Sequence, residues 1–285
     1  MRAPLRVLLL LTLLALFFTA CGGQAQTITP GGGTATNASP ATTLKVFAAS
    51  SLTEAFTEIK NQYEVTHSSI RIQYNFAGSQ QLVQQMTNGA SDDIFASADQ
   101  ANMQKATAAN LVQAPKVFAK NRLVLIVPAS NPAAITTLKD LAKAGTKIVL
   151  GGPTVPAGKY ALQIFDKLGA SPDYGKTYES AVKKNVVSQE DNVKAVVQKV
   201  QLGEADAGLV YLSDVTSSVI SKVKMITIPD DFNVIAQYPV AVTKNSAHAS
   251  DAQAFVDFLL SSPGQVILTK YHFISIVTNL GGQDK

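Results

Sequence analysis

Val46-Phe47-Ala48-Ala49-Ser50-Ser51-Leu52-Thr53-Glu54 compresses an apolar run, four small residues and a helix-start signal into nine positions. Leu44–Ala49 has the length and character of a strand. Ser51 followed three residues later by Glu54 has the spacing of a capping box, which predicts a helix beginning directly at the strand's carboxyl end. Leu52, Phe56, Ile59 and Tyr63 then fall at i, i+4, i+7 and i+11, one face of that helix. A strand that runs straight into an amphipathic helix is the repeating unit of α/β folds.

The same alternation continues along the chain. Strand-like runs are predicted at Leu44–Ala49, Ile70–Ala77, Asp93–Ser97, Arg122–Pro128, Lys147–Gly151, Ala207–Leu212, Val223–Pro229 and Tyr238–Lys244. Helical periods lie between them, with Val193, Val196, Val197 and Val200 repeating the one-face spacing. This is the pattern of α/β architecture with mostly parallel strands. The long runs near Arg122 to Pro128 and Tyr238 to Lys244 carry no obvious following turn. A chain that leaves one lobe and later returns would place its two crossings there, near Leu125 and Tyr238.

Composition narrows the function classes. The chain has 285 residues and a single cysteine, Cys21. Arg2 and Arg6 precede an apolar run from Val7 to Phe18, which suits a signal-peptide core and falls short of the ~20 residues of a membrane span. Phe18-Thr19-Ala20-Cys21 resembles a bacterial lipobox. It implies removal of residues 1–20 and lipidation of Cys21, hence an extracytoplasmic, membrane-anchored lipoprotein. Residues 22–43 carry no charge and are dense in Gly, Thr, Ala and Pro, so 21–43 reads as a lipidated cysteine and flexible tether. Without Arg2 and Arg6, 22 basic residues face 20 acidic ones, with no basic cluster suited to nucleic acid. One cysteine and the separated His67, His248 and His272 leave no zinc site and no Cys or His nucleophile.

Four helix starts carry the candidate chemistry: Ser50-Ser51, Gly78-Ser79, Val155-Pro156-Ala157 and Asp191-Asn192-Val193, where Asp191 or Asn192 would cap the valine-faced helix. Helix N-termini present free N–H groups and the positive end of the macrodipole, so they hold anions without Lys or Arg. In open α/β sheets they gather at the strands' carboxyl ends, where ligands dock. Gly152 to Lys159 is not a phosphate-binding Walker loop: five residues separate Gly152 from Gly158, and Tyr160 stands where Ser or Thr is required. No G-x-S-x-G places Ser79 on a nucleophile elbow. Asp92 and Asp93, as neighbours on a strand, would point to opposite faces, and Asp92 reads as a loop or cap residue.

VFAASSL (46–52), FAGSQQL (76–82), DIFASADQ (93–100), VPAGKYA (155–161), SQEDNV (188–193), AGLVY (207–211) and YPVAV (238–242) together resemble the periplasmic molybdate-binding component of bacterial ABC importers. The likeness runs in order and spacing across residues 44–275. It implies a type II periplasmic-binding fold, an α/β protein with lobe one at 44–124 plus 239–285 and lobe two at 125–238. Two crossing strands join the lobes, and the cleft closes on a tetrahedral oxyanion. It further implies ligand contacts from Ser51 and Ser79 through hydroxyl and N–H, from Ala157 and Asn192 through backbone N–H, and from Tyr211 through its phenol. Asn192 stands where some relatives carry Val, Ser50 where Ala is common, and Gly78 where Ser is frequent.

The expected function is therefore capture of molybdate, with tungstate, by a monomer and its delivery to an ABC permease, with no enzymatic step and no cofactor. Molybdate is a deprotonated dianion near neutral pH and only accepts hydrogen bonds, whereas phosphate carries a proton that wants an acceptor. The directions of Glu190 and Asp191 therefore matter. Sulfate, thiosulfate or phosphonate binding is the nearest alternative. A secreted hydrolase using Ser79 or Asp92-Asp93, and a ligand-sensing module, are the alternatives from other classes.

Overall fold

Leu123–Pro128, Ile148–Gly151 and Ala207–Tyr211 are buried at every position. Continuous burial of an apolar run marks a strand covered on both faces, and these three form the middle of one sheet. The computed structural model describes residues 41–277. The leader, Cys21, the tether to residue 40 and residues 278–285 lie outside the described residues.

Among the described residues, ten strands form two five-stranded sheets. The first contains β1 (Thr42–Ala49), β2 (Ile70–Ala77), β3 (Ile94–Ala96), β4 (Lys116–Asn121) and β10 (Ala236–Val242), in the order β2-β1-β3-β10-β4. The second contains β5 (Leu123–Pro128), β6 (Ile148–Gly151), β7 (Val186–Glu190), β8 (Ala207–Tyr211) and β9 (Val223–Thr227), in the order β7-β6-β8-β5-β9. The helices are α1 (Thr53–Thr66), α2 (Ser79–Thr87), α3 (Gln100–Ala108), α4 (Pro156–Ala170), α5 (Tyr178–Lys184), α6 (Val193–Gln201), α7 (Ser217–Ile220), α8 (Ala249–Leu260) and α9 (Ser262–Lys270). None of the described helices is long and apolar enough to cross a membrane.

The expectation of mostly parallel strands is corrected. Each sheet has a parallel trio, β2-β1-β3 or β7-β6-β8, extended by two antiparallel pairings. Parallel neighbours need a long crossover, usually a helix. The chain instead passes from β4 to β5 through Arg122 alone and re-enters the first sheet as β10 after Thr227. Two strands escaped the sequence pattern, β4 and β7. Both are edge strands with one partner each, and edge strands carry mixed polar character that dilutes the apolar signal.

The cores follow the predicted faces. Phe56, Ile59 and Tyr63 of α1 are buried, with Phe56 against Phe118 (5.8 Å between centroids) and Tyr63 edge-on to Phe255 (5.1 Å). Val193, Val196, Val197 and Val200 of α6 are buried under the second sheet. Phe118, Tyr238 and Tyr211 form an aromatic ladder, 6.4 and 5.6 Å between successive centroids, that runs from the first lobe into the second.

Candidate oxyanion site

Each wall of the cleft is a place where a strand hands over to a helix. After β1 the chain makes a tight 3-10 turn, Ser50–Leu52, before α1. The predicted Ser51–Glu54 capping box does not form. The Ser51 hydroxyl is instead 2.9 Å from the hydroxyl of Tyr238, and Glu54 pairs with Lys194 at 2.6 Å. Both side chains are committed to tertiary partners, which outweighs a local cap.

Ser79 is the first residue of α2, and Ala157 follows Pro156 at the start of α4. First-turn N–H groups have no acceptor inside their helix, and Pro156 has no N–H, so Ala157 is the first donor α4 presents. Gly158 lets α4 approach β6 closely, because a Cβ there would lie 2.0 Å from the Gly151 carbonyl oxygen. Asn192, rather than Asp191, caps α6, its Oδ1 accepting from Ala195 N–H at 3.1 Å. Tyr211 ends β8, and its N–H donates to Asp214 Oδ2 at 3.1 Å.

Ser51, Ser79, Ala157, Asn192 and Tyr211 all line one cavity, with Ser50, Ala49, Ala77, Gly78 and Ala98 among the residues between them. Its volume is about 10 Å³, room for about one water-sized centre. No residue lining it carries a formal charge. Ser79 Oγ accepts from Ala98 N–H at 3.0 Å, which leaves the serine's own proton free to donate. The Tyr211 hydroxyl is buried and has no hydrogen-bond partner within the protein. Burial holds its pKa well above the usual phenol range, so it stays a donor. A buried hydroxyl left unpaired costs about 1–3 kcal/mol, which is tolerated where a ligand supplies the partner.

Neither acidic neighbour lines the cavity. Glu190 accepts from Ser188 Oγ at 2.5 Å and pairs with Lys199 at 2.7 Å. Burial raises its pKa, but Lys199 and Ser188 outweigh that and leave it lowered. Asp191 is exposed, and its backbone oxygen accepts from Gln80 Nε2 across the cleft at 2.8 Å. Two ion pairs also cross the cleft, Lys194–Glu54 and the longer Lys159–Asp99 at 4.0 Å. Lys194 lies 3.2 Å from the fully buried Asp214, and the two carboxylates outweigh its burial to raise its pKa. The lobes are thus closed on each other around the cavity.

Asp92 and Asp93 play no part in it. Asp93 accepts from Lys45 N–H (2.8 Å) and Ser246 Oγ (2.6 Å). Asp92 lines a different cavity of about 170 Å³ that shares no residue with the first. Burial, then the Asp93 charge, pushes Asp92 up to about 7. A carboxyl whose folded pKa is raised contributes stability below its ordinary pKa and loses it as pH climbs through about 7. Asp92→Asn should therefore melt close to the parent at pH ~4 and above it at pH ~8. An equal offset at both pH values, read by differential scanning calorimetry, would contradict this.

Asn192 yields a second prediction. A backbone contact alone would make Asn192→Val silent, but the side chain is also the α6 cap. Its loss should destabilise the fold by ~1 kcal/mol while affinity changes little, as thermal melts and calorimetry would show. A large loss of affinity without loss of stability would mean that the amide itself touches the ligand.

Two α/β lobes joined by two crossings, closing on a small uncharged cavity rich in donors, define a periplasmic-type ligand-binding protein. Residues 44–274 match the family of bacterial extracellular solute-binding proteins, and the chain belongs to that family. Its members bind and carry solutes and are not enzymes. The molybdate-binding protein ModA of Mycobacterium tuberculosis is 36% identical over 255 residues, covering 89% of this chain and 91% of that protein. A substrate-binding domain of a candidate molybdenum ABC transporter from Clostridium difficile is 32% identical, with TM-score 0.62, over 83% of this chain and all of that one (100%). The periplasmic molybdate-binding protein of Azotobacter vinelandii shares the fold at 20% identity, with TM-score 0.69, over 81% of this chain and 98% of that one.

Proposed function

We propose that this protein captures molybdate, and tungstate with it, and delivers the anion to an ABC permease. The observation that carries the reading is the cavity wall. It combines uncharged donors from both lobes, a buried Tyr211 hydroxyl without a protein partner, and no carboxylate to receive a ligand's proton. A tetrahedral dianion that only accepts hydrogen bonds fits such a wall, with helix N-termini behind it. The bound anion contacts Ser51 and Ser79 through hydroxyl and N–H, Ala157 and Asn192 through N–H, and Tyr211 through its phenol. The relatives named for molybdate support the choice among oxyanions.

A thermal-shift panel on the lipid-free mature chain tests it, because a ligand that binds only the native state raises its melting temperature. Molybdate and tungstate should raise it at micromolar concentration, and sulfate and phosphate should not. Stabilisation by sulfate at equal or lower concentration would assign the site to another oxyanion.

The chain is further proposed to act as a monomer held at the membrane by acyl groups on Cys21. The charge, hydropathy and small residues of positions 2–21 support the anchor. Cys21→Ser should move the protein from the detergent phase to the aqueous phase of a detergent partition and leave molybdate binding unchanged. Persistence in the detergent phase would remove the lipobox reading.

A further inference from the structure

Every hydroxyl in the cavity has one proton to give and lone pairs that could also accept. What surrounds those lone pairs decides which oxyanions the site tolerates. Ser79 has one covered by Ala98 N–H at 3.0 Å, a rigid backbone donor. Ser51 faces the hydroxyl of Tyr238 at 2.9 Å, and both residues are buried. Either oxygen could donate in that pair when nothing else competes. A bound dianion removes the ambiguity: it cannot donate, so it takes the Ser51 proton, and the contact survives only if Tyr238 donates to Ser51.

The surroundings of Tyr238 favour that direction. Its ring is fixed edge-on against Phe118, Tyr211 and Phe273 at 5.4–6.4 Å. Burial keeps its phenol protonated far above neutral pH, so it always has a proton to give. The hydrogen-bond partner of the phenol among the described residues is Ser51, so its proton turns there once the anion has taken the Ser51 proton.

We infer that Tyr238 is a specificity-determining positioning residue: it occupies the acceptor face of Ser51 and so biases the site against oxyanions that carry a proton. This rests on the molybdate reading and adds a selectivity device to it. A ligand such as hydrogen phosphate needs an acceptor for its P–OH. Of the hydroxyls lining the cavity, Ser51 and Ser79 each have an acceptor position taken, by Tyr238 and by Ala98 N–H.

Tyr238→Phe keeps the ring and removes only this donor. Calorimetry on the lipid-free mature chain at pH ~7, with molybdate and with inorganic phosphate as probes, reads the result. Affinity for molybdate should fall by about tenfold, because Ser51 loses the donor that polarises and orients it. The preference for molybdate over phosphate should shrink by about tenfold or more, since Ser51 becomes free to accept. A purely structural role would weaken both anions alike and leave the ratio unchanged, which would overturn the inference. The same substitution in a Ser51→Ala background should leave the ratio where Ser51→Ala alone puts it; a further change there would also overturn it, because Tyr238 would not be acting through Ser51. An unsubstituted protein that binds neither probe overturns the molybdate reading along with this one. Molybdate binding with an unmoved ratio overturns this inference alone.

Discussion

Gly78→Ala is expected to weaken molybdate binding by roughly a hundredfold while leaving each lobe folded. A Cβ built on Gly78 would lie 2.4 Å from the backbone oxygen of Asp191, which belongs to the opposite lobe. That approach exists only when the cleft is shut, where Gln80 Nε2 also reaches the same oxygen at 2.8 Å. The glycine's φ of −63° and ψ of 139° suit any residue, and within the first lobe the new Cβ meets only the end of the Gln80 side chain at 2.6 Å, which can swing away. Its cost falls on closure. Forcing atoms into a packed contact costs ~1–3 kcal/mol, and 2.8 kcal/mol corresponds to about a hundredfold in affinity. The lobes would have to stop short, pulling Ala157, Asn192 and Tyr211 away from Ser51 and Ser79. Small-angle scattering should show the parent contracting on addition of molybdate and the variant contracting less. Full contraction with unchanged affinity would show that the lobes do not close as described.

Ser79→Ala and Tyr211→Phe should each weaken molybdate binding by roughly ten- to a hundredfold, because each removes one hydrogen bond of ~1.5–3 kcal/mol to a charged ligand. Their effects on the unliganded protein should differ in sign. Ser79→Ala leaves the Ala98 N–H without its acceptor and should lower the melting temperature. Tyr211→Phe removes a buried hydroxyl that has no protein partner, and should leave the melting temperature unchanged or raise it. Binding and stability read separately on the two variants therefore separate ligand contacts from scaffold. If Tyr211→Phe binds as tightly as the parent, the phenol does not face the anion.

The strand ends and helix starts that build the cavity were legible because small residues, Pro and cap residues are local signals. Pro156 at the first turn of α4 and Asn192 at the head of α6 act where the sequence places them. Strand spans held where a run was apolar throughout, as at Leu123–Pro128, or alternated apolar with polar residues, as at Ile70–Ala77, within about a residue or two. Legibility ended where partners are distant in sequence. Tyr238 is 187 residues from Ser51, so the contact that displaces the local capping box leaves no trace in the spacing around Ser51. Gly78 reads alone as a lost hydroxyl, and only the opposing Asp191 oxygen shows why a side chain there is costly. Glu190 could not be directed from sequence either, since Lys199, nine residues on, decides where its carboxylate points. The antiparallel halves of both sheets follow from how the chain crosses between lobes, a property of topology that no single run encodes.

The proposed function requires an uncharged, donor-rich cavity to hold a fully deprotonated tetrahedral anion. Titration calorimetry with molybdate, repeated in a large excess of sulfate and again across pH 6.5 to 8.5, tests it most directly. The cavity described here predicts one site per chain and an affinity that sulfate barely reduces. It also predicts little change across that pH range, because no ionisable group lines the wall except the Tyr211 phenol, which burial keeps protonated. Loss of the molybdate signal in sulfate, or an affinity that changes tenfold across those pH values, would contradict it.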